Sequence, residues 1–150
     1  MTQSAIGNQK SAIEHRPSKI LVIEDNEQNL YLTTFILEKH GYEVIQAREG
    51  GEGIRLAGQT EPDLILLDIQ LPEMDGYAVA HALRSNPALE RVPIVAVTSY
   101  AMVGDRERIL AAGCTGYIEK PINPDTFVAQ VEAHLPGGES GRGGGACPTF

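Results

Sequence analysis

Cysteine, long apolar runs and concentrated positive charge are all scarce in this 150-residue chain, and each scarcity narrows its possible roles. The two cysteines, Cys114 and Cys147, lack the paired spacing of a zinc site. Cys114 sits in Ala-Ala-Gly-Cys-Thr-Gly, at an expected helix-to-strand turn, and reads as an inert, partly buried thiol. Cys147 opens the run Cys-Pro-Thr-Phe, where Pro148 and Thr149 are poor matches to the aliphatic positions of a prenylation box. No stretch approaches the roughly 20 apolar residues that span a bilayer. Met1 to Arg16 has no apolar core of the kind a secretory signal needs. A cytoplasmic protein away from membranes is therefore expected. Net charge is −8, and between Lys19 and Leu135 nine Lys and Arg stand against 18 Asp and Glu. Nucleic-acid binding draws its affinity from basic patches that neutralise phosphate, and none is visible, so that role is disfavoured.

What is present is a repeating pattern. Five short apolar runs, Lys19–Ile23, Tyr42–Ala47, Leu64–Asp68, Ile94–Thr98 and Gly116–Glu119, alternate with segments of helical character. Continuous apolar runs of this length, bounded by turn residues, predict buried parallel strands. The helices are expected over Glu27–His40, Gly50–Gln59, Asp75–Arg84, Gly104–Ala112 and from Asn123 to about Leu135. Leu30, Phe35 and Leu37 are the inward candidates of the first, which Gly41 ends as a C-cap glycine. The second is weak by propensity, since Gly51, Gly53 and Gly58 each cost roughly 1 kcal/mol relative to Ala. Asp75 caps the third helix. Asn123-Pro124-Asp125 supplies a cap, a first-turn proline and an acid for the last, whose apolar stripe is Phe127, Val128, Val131 and Leu135. The pattern predicts an α/β fold with a five-stranded parallel sheet and helices on both faces, in the flavodoxin-like order 2-1-3-4-5. The folded unit spans residues 19–135. Residues 1–18 and 136–150, the latter with six glycines in fifteen positions, read as flexible tails.

In open sheets of this kind ligand chemistry gathers beyond the carboxyl ends of the strands. The first strand there delivers Glu24 and Asp25, the third Asp68, the fourth the Thr98 hydroxyl and the fifth the Lys120 ammonium. Glu24, Asp25 and Asp68 would converge, because the first and third strands are neighbours. Carboxylates some 4 Å apart repel by roughly 4 kcal/mol at an effective dielectric near 20. Mg²⁺, which takes oxygen ligands and binds one or two carboxylates beside phosphate, fits such a cluster. Each acid alone could be a helix cap, with Asp25 or Asn26 serving the first helix, but four coordinated strand ends argue for a site. A nucleotide cradle is excluded by the first loop, where Glu24-Asp25-Asn26 replaces the glycines and bare N–H groups that hold phosphate. A haloacid-dehalogenase-type phosphatase is excluded by Ile69 and Gln70, which follow Asp68 without a second acid. Pro121, after Lys120, is a candidate for a cis peptide that aims the lysine.

Glu24-Asp25, the run Leu-Leu-Asp-Ile-Gln-Leu-Pro-Glu-Met-Asp-Gly around Asp68, Thr98 and Lys120-Pro121 resemble the signature of two-component response-regulator receiver domains. The resemblance covers Lys19–Leu135 in order. It implies that Asp68 accepts a phosphoryl group from a phosphohistidine of a sensor histidine kinase or histidine phosphotransfer protein. It also implies that Asp25, Asp68 and the backbone carbonyl of Gln70 hold Mg²⁺, with Glu24 assisting through water. Tyr117 matches the family's aromatic switch position, and Ser99 is small enough to admit an inward swing of that ring. The run from Tyr100 to Cys114 resembles regulators of the DivK type and the receivers of hybrid kinases. On this resemblance the chain is a stand-alone receiver that catalyses only its own phosphorylation and dephosphorylation. Its output would be a protein target bound on the Gly104–Leu135 face, or onward transfer of phosphate to a histidine phosphotransfer protein.

Overall fold

A computed structural model of the chain describes residues 17–71, 74–99 and 102–135. The two expected tails, apart from Pro17 and Ser18, lie outside the described residues, as do Cys147 and Tyr100. Five parallel strands, β1 (Lys19–Ile23), β2 (Glu43–Ala47), β3 (Leu64–Asp68), β4 (Ile94–Thr98) and β5 (Gly116–Glu119), form one sheet in the order β2-β1-β3-β4-β5. Between and after them run α1 (Glu27–Lys39), α2 (Gly50–Thr60), α3 (Gly76–Arg84), α4 (Val103–Ala111) and α5 (Pro124–Glu132), with a 3₁₀ turn at Pro87–Leu89. This is the flavodoxin-like arrangement. Among the described residues no helix is long and apolar enough to cross a membrane.

The two-residue period of the strands sorts their side chains into two cores. Leu21, Ile23, Ile65, Leu67 and Ala96 point to the face covered by α2, α3 and α4, meeting Ala57, Val79, Leu83 and Ile109. Ile20, Val22, Leu66, Val95 and Ile118 point to the opposite face, under α1 and α5, meeting Leu30, Leu37, Phe127 and Val131. Each fully buried aliphatic or aromatic side chain of this kind contributes about 1.5–3 kcal/mol.

Local signals position the helices. Asn26 caps α1, its side-chain oxygen accepting from Asn29 N–H at 2.9 Å, so Asp25 is not the cap. Gly41, past the end of α1, adopts φ +93°, a conformation that disfavours a side chain. Asp75 and Asn123 cap α3 and α5 through the N–H groups of Tyr77 and Asp125. Two glycines of α2, Gly50 and Gly53, have a packing reason that offsets their propensity cost, whereas Gly51 and Gly58 have room for a Cβ. A Cβ on Gly53 would stand 2.4 Å from Ile23 Cδ1, and one on Gly50 2.6 Å from Val79 Cγ2. Their absence lets α2 lie close against the end of β1.

One expectation is corrected. Phe35 does not face the core but is 51% exposed, stacked on Tyr31 with ring centroids 6.2 Å apart. The inward positions are Leu30, Thr33, Ile36 and Leu37. At the amino-terminal end of the sheet, Arg84 reaches from α3 across two connections. Its guanidinium donates to the carbonyls of Gly113, Leu89 and Val92 at 2.8 Å.

Candidate functional site

Register places the site. Ile23 pairs with Leu67, Asp68 with Val97, and Thr98 with Glu119, so the residues that follow β1, β3 and β5 emerge side by side. The backbone reinforces this edge, since Glu24 N–H donates to Ala47 O at 2.9 Å and Lys120 N–H to Thr98 O at 2.8 Å. Glu24, Asp25 and Asp68 each offer a carboxylate oxygen within 4.8 Å of the others. Glu24 and Asp68 are buried, and Asp25 is exposed at the rim. Behind the two buried acids stand Val22, Leu66, Val97 and Phe127.

Lys120 is the cation of the cluster, its Nζ 3.1 Å from Asp68 Oδ1 and 3.9 Å from Glu24 Oε1. The Lys120–Pro121 peptide is cis. Asp68 Oδ1 also accepts from Gln70 N–H at 2.9 Å, and Glu24 Oε2 from Asn26 N–H at 3.2 Å. Burial first, then a hydrogen bond and charge repulsion from Asp68, push the Glu24 carboxyl up to about 7. At 4.8 Å two such charges repel by roughly 3.5 kcal/mol at an effective dielectric of 20. One ammonium cannot neutralise three carboxylates, so the cluster relieves its repulsion by holding a proton on Glu24 or by taking up a cation. The donor set is all oxygen, the preference of Mg²⁺.

Thr98 is buried at the end of β4. Ser99 is exposed, and its N–H donates to Gln70 Oε1 at 3.0 Å. A cleft of about 260 Å³ lined by Asn29, Ser99, Lys120, Pro121 and Ile122 opens beside Lys120, the partner of Asp68. Tyr117, on edge strand β5, is partly buried on the α2–α3–α4 side, against the core that contains Ile109. Cys114 is buried, which raises its thiol to about 12.

Two residues near this end of the molecule escaped sequence reasoning. The side chain of Gln70 was read only as the bearer of a backbone ligand. Tyr77 in α3 stacks under the Arg108 guanidinium of α4, 4.1 Å from ring centre to carbon, a contact between helices that no local pattern announces.

Comparison with known proteins agrees with the geometry. Residues 20–132 match the model of the response regulator receiver domain. The polar-differentiation response regulator DivK of Brucella anthropi is 44% identical over 119 residues, covering 79% of this chain and 97% of that protein. Among solved structures, the chemotaxis protein CheY4 of Vibrio cholerae superposes with a TM-score of 0.77 at 28% identity, over 79% of this chain and 99% of that one. The receiver domain of sensor histidine kinase PA1611 from Pseudomonas aeruginosa, solved with a magnesium ion coordinated in its active-site cleft, gives a TM-score of 0.73 at 34% identity. That likeness covers 79% of this chain and 97% of the other.

Proposed function

The chain belongs to the response regulator receiver domain family, and from that membership we propose that Asp68 is the phosphoacceptor of a two-component or phosphorelay system. The phosphoryl donor is a phosphohistidine on a sensor histidine kinase or a histidine phosphotransfer protein. One observation carries the reading. A buried carboxylate, Asp68, stands 3.1 Å from the Lys120 ammonium and within 4.8 Å of oxygens from two further acids, and Lys120 also lines an open cleft.

The chemistry asks mainly for alignment and charge neutralisation. An oxygen of Asp68 attacks phosphorus, and the P–N bond breaks with its electron pair leaving on the imidazole. Lys120 holds a phosphoryl oxygen, and the Thr98 hydroxyl donates to another. Asp25, Asp68 and the Gln70 carbonyl would hold Mg²⁺, with Glu24 acting through water. When bound, the ion neutralises charge on the phosphoryl oxygens and on the acids. The magnesium in the cleft of the PA1611 receiver supports this assignment. On this reading the protein acts on no other substrate, and catalyses only its own phosphorylation and dephosphorylation in the cytoplasm.

The product is a changed surface, because a dianionic acyl phosphate replaces a single carboxylate charge. We assign the output to α4, β5 and α5, spanning Gly104–Leu135, with Tyr117 as its two-state element and Ser99 beside it. β5 is an edge strand with α4 and α5 on opposite sides of the sheet, so these elements form one continuous flank. The partner there is a protein, and no contact with nucleic acid or membrane is involved. A second reading, a carrier passing phosphate from Asp68 to a histidine phosphotransfer protein, is supported by the 34% identity to a receiver carried by a sensor kinase. Rapid loss of label to an added phosphotransfer protein supports the carrier, and a durable label with a bound target supports the switch.

The deciding experiment is labelling with acetyl phosphate in Mg²⁺. The wild type should acquire one hydroxylamine-sensitive phosphoryl group, mapped to Asp68, and Asp68→Asn should acquire none. Stoichiometric labelling of the variant at another residue would falsify the assignment.

A further inference from the structure

We propose that the side chain of Gln70 is a detachable rung of the sheet, a latch that holds Ser99, at the exit of β4, in its resting position. The proposal rests on the phosphoacceptor reading for what releases the latch. Between β3 and β4 the ladder advances in steps of two residues. Ile65 N–H donates to Pro93 O at 2.9 Å, and Ile69 N–H to Val97 O at 3.1 Å. Continued as a parallel ladder, the next rung would run from Ser99 N–H to Ile69 O. It does not form. Ile69 O accepts instead from Gly76 N–H at 3.2 Å, and Ser99 N–H donates to Gln70 Oε1 at 3.0 Å. A side-chain amide has taken the place of a backbone carbonyl.

The substitution matters because the two acceptors differ in freedom. A backbone carbonyl is fixed by its strand, whereas the Gln70 amide can turn about its own χ angles and leave the sheet intact. The same residue also reaches the reacting group, since its backbone N–H donates to Asp68 Oδ1 at 2.9 Å. Gln70 therefore touches both Asp68 and the residue that follows Thr98. In sequence, Ser99 leads into α4, so a hold on Ser99 restrains the approach to that helix. Phosphoryl oxygens on Asp68 are charged and accept hydrogen bonds more strongly than a neutral amide. They displace the rung, and its loss frees Ser99. Gln70 is a positioning residue in this scheme and need not touch the phosphoryl group through its side chain.

An ordinary hydrogen bond of this kind biases a two-state equilibrium by about fivefold. Amide hydrogen exchange at Ser99 in the unphosphorylated protein tests the rung directly. Gln70→Met, which keeps the length and loses the acceptor, should speed that exchange about fivefold. Gln70→Glu, which keeps an oxygen acceptor, should retain the protection. Titration with beryllofluoride in Mg²⁺, a phosphate mimic read from the amide signals of Thr98 and Ser99, tests the release. Gln70→Met should half-saturate at about one-fifth of the wild-type concentration. Ser99 exchange unchanged in Gln70→Met, or faster exchange with no gain in mimic affinity, overturns the latch and leaves the phosphoacceptor reading standing. A wild type that takes up no mimic overturns the phosphoacceptor reading, and the latch as a switch element with it.

Discussion

The Lys120 ammonium lies 3.1 Å from Asp68 Oδ1, with the lysine side chain 17% and the aspartate side chain 3% exposed. A cation held this close, and this far from water, serves both the resting carboxylate and whatever charge is later added to it. Lys120→Ala should therefore separate chemistry from switching. Labelling of Asp68 should fall but persist, while the response of residues 98–112 to beryllofluoride is lost. Amide chemical shifts with and without the mimic check this, and a full wild-type shift pattern in the variant removes Lys120 from the switch.

Asp25 sits at the exposed rim of the acidic cluster, where it can bind a metal without being the nucleophile. Asp25→Asn should weaken Mg²⁺ binding by about tenfold or more, equivalent to ~1.4 kcal/mol, and leave Asp68 able to react at saturating metal. Calorimetric titration of the two proteins measures the difference. Equal Mg²⁺ affinities would take Asp25 out of the ligand set.

Glu24 gives a pH dependence with a definite sign. Its folded-state carboxyl is raised from 4.5 to about 7, so the folded chain keeps a proton that the unfolded chain has released. Metal-free stability should decline as pH rises from about 4.5 to 7, by on the order of 3 kcal/mol from this group, and then level off. Glu24→Gln should abolish that decline and leave the metal-free protein more stable at pH 8. Mg²⁺ should restore the wild type most strongly above pH 7. Urea unfolding in EDTA across this range provides the measurement. A variant with the wild-type slope assigns the dependence to another group.

Tyr117 is the tyrosine of the assigned output flank, partly buried against the core that contains Ile109. A ligand moves a two-state equilibrium only as far as it discriminates between the states. Phosphorylation should change the affinity for a target protein at least tenfold, and Tyr117→Ala should shrink that ratio. Binding that ignores phosphorylation, or that maps to α2, would relocate the output.

Much of this architecture was legible because parallel strands carry dense local information. Leu64–Leu67 and Ile94–Val97 are apolar throughout, as residues buried on both sheet faces must be, and the polar residues that end these strands, Asp68 and Thr98, announced the site. Caps at Asn123 and Asp75 and the turn at Gly41 were equally local. Phe35 was misplaced because α1 carries apolar residues around much of its circumference. Leu32, Phe35 and Ile36 compete for a core that admits Ile36 fully and Leu32 in part. The glycines of α2 looked costly for the opposite reason, since the contact with Ile23 that favours Gly53 joins residues 30 apart in the chain. Gln70 and Arg84 reach Ser99 and Gly113, each 29 residues away, which no periodicity encodes.

Arg84 gives the molecule two unequal ends. Its guanidinium fastens the loops that enter β4 and β5, while the loops leaving those strands carry Thr98, Ser99 and Lys120. A lever needs a fulcrum. With the entrances of both strands hydrogen-bonded to Arg84 of α3, sliding of whole strands would have to break those bonds, which favours displacement at their exits instead. On the proposed reading it stays at the rim that carries Asp68 and Lys120, and in the helices that follow it.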